Sequence, residues 1–133
     1  MNDKEWTEVV RDMRDSTNVE AAVAAAERLH LTATVEDMPR LRQLLDDEAF
    51  FVREAVAWPL CELGGAAMLP DLFRAYQRGF DEGHDNDGFS TALIELVEAN
   101  RDAARDVLTL LARSSDAAVR ENAVWLLEFC RNE

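Results

Sequence analysis

The densest run of potential ligands in the chain is Asp81, Glu82, Gly83, His84, Asp85, Asn86, Asp87, Gly88. Carboxylates gathered in a glycine-rich turn are what a calcium ion needs, since it collects several oxygens at once. Asp85, Asp87 and Gly88 match the end of a DxDG calcium loop, but Gly83 stands at the first ligand position and Ile94 at the twelfth, where a bidentate Glu belongs. The segment therefore reads as an acidic surface loop that offers Asp81, Glu82, Asp85 and Asp87 to a partner, and no metal is assigned to it. Zinc has even less to hold it. His30 and His84 are far apart in the chain, and neither HExxH nor a ligand-spaced cysteine pair occurs.

Catalytic constellations are equally incomplete. No Ser or Cys sits in a GxSxG or Cys/His context, and Gly64, Gly65, Gly83 and Gly88 lack the spacing of a phosphate-binding loop. Glu95 and Glu121 could form an acid–base pair, yet acidic rows on a groove are ordinarily solvated. No catalytic residue and no cofactor are assigned, and the chain reads as a non-enzyme. A different pattern remains. Glu54, Trp58 and Cys61 share the i, i+4, i+7 spacing of one helical face, as do Thr91, Glu95 and Glu98, and again Glu121, Trp125 and Glu128. Tryptophans rimmed by carboxylates suit a basic protein surface, because indole supplies apolar area and a cation–π face for Lys or Arg. The alternative is that both indoles pack between neighbouring helices.

These residues are positioned by a chain that repeats itself. Val52, Arg53, Glu54, Ala55, Val56, Ala57, Trp58 returns 67 residues later as Val119, Arg120, Glu121, Asn122, Ala123, Val124, Trp125, and the match extends upstream from Leu41 and Leu44 to Leu108 and Leu111. The offset is about twice the length of a short helical repeat, which places one more unit between the copies. Four helical pairs follow, over residues 3–31, 37–65, 68–99 and 101–131. Trp6, Val9, Val10 and Met13 form the first apolar stripe. Ser16, Thr17 and Asn18 provide a turn and an N-cap for the Ala-rich segment 19–31, in which Val23 and Leu29 supply bulk. Asp37 and Pro39 start the second pair, with Leu41, Leu44 and Leu45 buried. Gly64 and Gly65 end its second helix with a left-handed cap. In the third pair Leu72, Phe73 and Tyr76 face Phe89, Ala92, Leu93, Leu96 and Val97, across a loop six residues longer than in the second pair. The fourth buries Val107, Leu108, Leu110 and Leu111, turns at Ser114, Ser115 and Asp116, and ends with a helix over 119–130. Pro59 falls inside a helix and removes one backbone bond.

Composition bounds the partner. With 14 Lys and Arg against 27 Asp and Glu, the net charge is −13. That field repels nucleic acid and anionic lipid and steers a basic protein. The 133 residues suffice for one domain. The two cysteines, Cys61 and Cys130, sit in apolar helical patterns as buried free thiols, and no run of about 18 apolar residues or leader-like start occurs. A cytoplasmic protein is expected.

The pattern Val52, Arg53, Val56, Leu60, Leu63, Gly64 resembles the HEAT repeat, in the short form also found in phycobiliprotein lyases. The resemblance is good in the second and fourth pairs and covers most of the chain. It implies an all-α, right-handed α-solenoid of about four helical pairs, with an aspartate in the inter-helix turn pairing with the arginine after the valine. Asp47 and Arg53 fit that pattern, Ser114 replaces the aspartate before Arg120, and Ser90 replaces the arginine in the third pair, so an incomplete ladder is expected. HEAT-like proteins share no single activity. Together these features lead us to expect a non-catalytic binding module whose acidic concave face takes a basic protein partner. Its sharpest form is an inhibitor or immunity protein that neutralises a cationic, nuclease-like toxin. The resemblance also implies a lyase-like or chaperone role as an alternative, and a general assembly scaffold is the third.

Overall fold

A computed structural model describes residues 1–131, and these contain α-helices and short 3-10 turns with no β-strand. In chain order the helices are α1 (Asp3–Arg14), α2 (Val19–Thr32), α3 (Met38–Leu44), α4 (Phe50–Gly64), α5 (Leu69–Asp81), α6 (Asp87–Ala99), α7 (Arg101–Leu111) and α8 (Ala117–Leu127). None of them is long and apolar enough to cross a membrane. The chain divides into two compact units, Met1–Leu63 and the remainder from Gly64 onward.

In the Met1–Leu63 unit each helix start has a local cause. Asn2 accepts the Glu5 N–H at 2.8 Å and Asn18 accepts that of Ala21 at 3.0 Å, so two otherwise orphaned donors are satisfied by side-chain caps. Val9, Val10 and Met13 turn the apolar face of α1 inward, and α2 packs on α1. The buried stripe of α2 is Ala22, Ala25 and Leu29. Val23, expected to supply core bulk, is instead 51% exposed, because it lies off the face that carries Ala22, Ala25 and Leu29.

Asp37 acts differently from the expected helix cap. It closes a 3-10 turn, Val35–Asp37, and its carboxylate accepts the Thr34 N–H at 2.8 Å and Arg40 Nη2 at 2.6 Å, with the Met1 ammonium 3.5 Å away. Burial works against its charge, but these donors and cations outweigh that cost and hold the carboxyl below its ordinary 3.8. A depressed carboxyl contributes stability that is present above 3.8 and lost as pH falls through the lower, folded value. Asp37→Asn should therefore melt lower than the parent at neutral pH, and the gap should close as the two are acidified below 3.8 and through the lower, folded value. Circular-dichroism melts across that range check it; a gap independent of pH would sink the account.

The turn before α4 is built on Arg53. This arginine is 1% exposed and its Nη1 donates to the backbone carbonyls of Asp47 at 2.8 Å and Glu48 at 3.1 Å. The Asp47 carboxylate is used elsewhere, receiving Arg14 Nε at 3.0 Å and the Ala49 N–H at 3.0 Å. Arg120 does the same in the other unit, with Nη1 donating to the carbonyls of Ser114 at 2.9 Å and Ser115 at 3.0 Å. The arginine thus grips main-chain oxygens, which any residue supplies, so the Asp-to-Ser change leaves this clamp complete and corrects the expected break there. At the third pair Ser90 instead meets the Tyr76 hydroxyl at 2.6 Å.

Near the start of the second unit Gly65, whose φ of 61° is the left-handed conformation expected there, begins the 3-10 turn Gly65–Met68. Leu72, Phe73 and Tyr76 of α5 and Phe89, Ala92, Leu93, Leu96 and Val97 of α6 are all buried as expected. The six-residue insertion behaves otherwise. Most of it lengthens α5, which runs to Asp81, so the link to α6 is only residues 82–86. Gly79 is helical here, and the Asn86 side chain occupies the notch it leaves, donating from Nδ2 to the Tyr76 carbonyl at 2.8 Å. In α7 Leu108 is buried, whereas Leu110, expected inward, is 69% exposed one position off the stripe. Asp116 caps α8 by accepting the Ala118 and Val119 N–H groups, and the chain continues into the 3-10 turn Glu128–Cys130. Both cysteines are free and buried, and burial, opposed by Arg105 and Arg101, pushes the Cys130 thiol up.

Candidate partner-binding surfaces

The acidic residues singled out in the sequence fall into two kinds. Those of the 81–88 segment are spent locally. Asp81 accepts Gln77 Nε2 at 3.1 Å, Glu82 pairs with Arg78 Nε at 2.9 Å, and Asp85 accepts the Asp87 N–H at 2.8 Å in the turn that starts α6. Asp87 lies in the first turn of α6, where the helix dipole favours its charge. Among the described residues no group of three or more His, Cys, Asp or Glu is disposed to hold an ion.

The carboxylates of α6 and the 117–128 stretch are of the other kind. Glu95, Glu98, Glu121 and Glu128 are exposed. None accepts a hydrogen bond or ion pair from another described residue. Glu98 and Glu128 border one cleft of about 660 Å³ with Arg101, Phe129 and Arg131, so a ligand there meets both signs of charge. Trp125 is half-buried against the Tyr76 ring, stacked at 6.0 Å and 11°, with Phe129 edge-on at 6.1 Å. That geometry makes it a packing residue of the second unit first, as offset and edge contacts between rings do.

Trp58 has different surroundings. It is half-buried and lines a groove of about 430 Å³ between α2 and α4 with Val23, Ala26, Glu27, His30, Phe51, Glu54 and Ala55. Its ring lies 6.3 Å from that of His30, whose Nε2 is 2.8 Å from Glu62 Oε1. The sequence points to Glu54, Trp58 and Cys61 as one outward face, but Cys61 is buried and does not line the groove. The α2 wall escapes the sequence pattern because Val23 reads as core bulk, although Val23, Ala26, Glu27 and His30 carry the spacing of one helical face.

A second cleft of the Met1–Leu63 unit, about 570 Å³, is lined by Trp6, Arg11, Arg14 and Arg40 among others. Its arginines are engaged: Arg14 with Asp47, Arg40 with Asp37 and, at 4.3 Å, with the face of Trp6, and Arg11 with Asp12 at 3.4 Å. No protein-family model, curated protein or solved structure matches the chain.

Proposed function

We propose that the chain is a non-catalytic, HEAT-like helical-repeat module that binds a basic protein through surface carboxylates. The observation that carries this reading is the set Glu95, Glu98, Glu121 and Glu128, exposed and without an internal hydrogen-bond or ion-pair partner among the described residues, on a chain of net charge −13. Carboxylates that are already solvated and not tied up in direct ion pairs cost little to bring to a cationic surface, and the net negative field raises the encounter rate with one. The repeat assignment draws support from the arginine clamp, which recurs 67 residues apart at Arg53 and Arg120 on unlike turn sequences.

The test is retention of cell-lysate proteins on the immobilised full chain, with the variant Glu95→Lys, Glu98→Lys, Glu121→Lys, Glu128→Lys beside it. Retained proteins should be basic, should elute as salt rises towards roughly 0.5 M, and should drop several-fold on the variant. A retained set that is acidic or indifferent to salt would overturn the reading.

A further inference from the structure

The groove between α2 and α4 has a regularity that the acidic surface alone does not explain. Its α2 wall is Val23, Ala26, Glu27 and His30, and its α4 wall is Phe51, Glu54, Ala55 and Trp58. Each set is i, i+3, i+4, i+7, one complete face of two helical turns, about 10 Å long. The rings of His30 and Trp58 pair the two C-terminal positions, which leaves Val23 and Phe51 at the opposite end. The lining is mostly apolar, and a carboxylate stands in the middle of either wall, Glu27 on one and Glu54 on the other. One turn before Val23 on the same face of α2, Val19 is 69% exposed. A lone exposed valine is ordinary, but two on one helix face, one of them lining a groove with a half-buried Trp and Phe, extend the apolar surface that the groove offers.

We infer that this groove is the docking slot for a two-turn amphipathic helix of the basic partner, aliphatic side chains down and Lys or Arg on both flanks. The inference rests on the reading that the partner is a basic protein. Charge complementarity selects the flanks, because Glu27 stands exposed on the α2 wall and Glu54 adds a second carboxylate on the α4 wall, on a chain of net charge −13. A second copy of this chain would bring another −13 against the same rim, so like-charge repulsion disfavours it. The walls select a helix over an extended strand. Both are helices whose backbone N–H and C=O groups are already paired, so they offer a strand no ladder, whereas an incoming helix satisfies its own backbone and presents i, i+3, i+4 anchors.

Three synthetic peptides of equal charge test this against the full chain by fluorescence anisotropy at low salt. One is a basic amphipathic helix with Leu at i and i+4, one has both Leu replaced by Ser, and one keeps Leu but carries a central Pro. The Leu peptide should bind at least roughly tenfold more tightly than either other. On Val23→Lys, a substitution at an exposed position whose retained fold is checked by its melt, that advantage should vanish. Equal, salt-sensitive binding of the Leu and Ser peptides overturns the slot while leaving the acidic reading standing. Equal binding of the Pro peptide overturns the helical occupant. No binding by any of them at low salt overturns the slot and counts against the basic partner as well.

Discussion

Arg53→Ala is expected to destabilise the protein by about 3 kcal/mol, while Arg120→Ala costs about 0.5 kcal/mol, although both arginines make the same pair of hydrogen bonds. The difference is burial. Arg120 is exposed, so water replaces its donors at the carbonyls of Ser114 and Ser115 once the side chain is gone. Arg53 is 1% exposed, and its removal takes the donor from the carbonyls of Asp47 and Glu48 and leaves a cavity where a long buried side chain lay. Arg53→Met separates the two losses, since it restores most of the volume and none of the donors; about two thirds of the penalty should remain. Urea unfolding of the three variants measures this. Equal costs at positions 53 and 120 would show that the clamp is not what makes Arg53 valuable.

The arginine clamp also shows where sequence reading succeeds and where it stops. Position and residue type were legible, because a repeated Val-Arg pair at a fixed offset marks one local environment used twice. The partner was not, since the acceptors are main-chain carbonyls and leave no trace in the side-chain pattern. The same division holds for packing. Val52, Val56 and Leu60 are fully buried, as the long-residue periodicity of α4 implies. In α2 the stripe is carried by Ala22, Ala25 and Leu29, and alanine tolerates either environment, so periodicity could not say that Val23 faces out. That ambiguity hid half of the groove beside Trp58. It also made Trp58 and Trp125 look equivalent, because what separates them is a ring neighbour, Tyr76, that is distant in sequence.

The acidic insertion yields the second large effect, Gly79→Ala, and there the usual sign of the substitution reverses. In a helix interior Ala is favoured over Gly by about 1 kcal/mol. At position 79 a Cβ would collide with the Asn86 carboxamide, coming within 3.0 Å of its Cγ and closer still to its terminal atoms. Asn86 has little room to yield. It is 3% exposed, its Nδ2 is bonded to the Tyr76 carbonyl, and its own carbonyl accepts the Ser90 N–H at 2.8 Å to start α6. The Gly79 carbonyl meanwhile receives the His84 N–H at 2.9 Å, so glycine and asparagine together fasten residues 82–86 onto the end of α5. Evicting the carboxamide forfeits that bond and the packing around it, which outweighs the helical gain, and a net loss of about 2 kcal/mol is expected. Asn86→Ala alone should cost about 1.5 kcal/mol by the same bond. In Gly79→Ala, Asn86→Ala the collision is gone and the helical preference of alanine is recovered, so the double variant should be more stable than Gly79→Ala and no worse than Asn86→Ala. A double-mutant cycle by urea unfolding reads the coupling directly. Additive losses would mean that the notch and the carboxamide are not one device, and that something else holds the acidic link against α5.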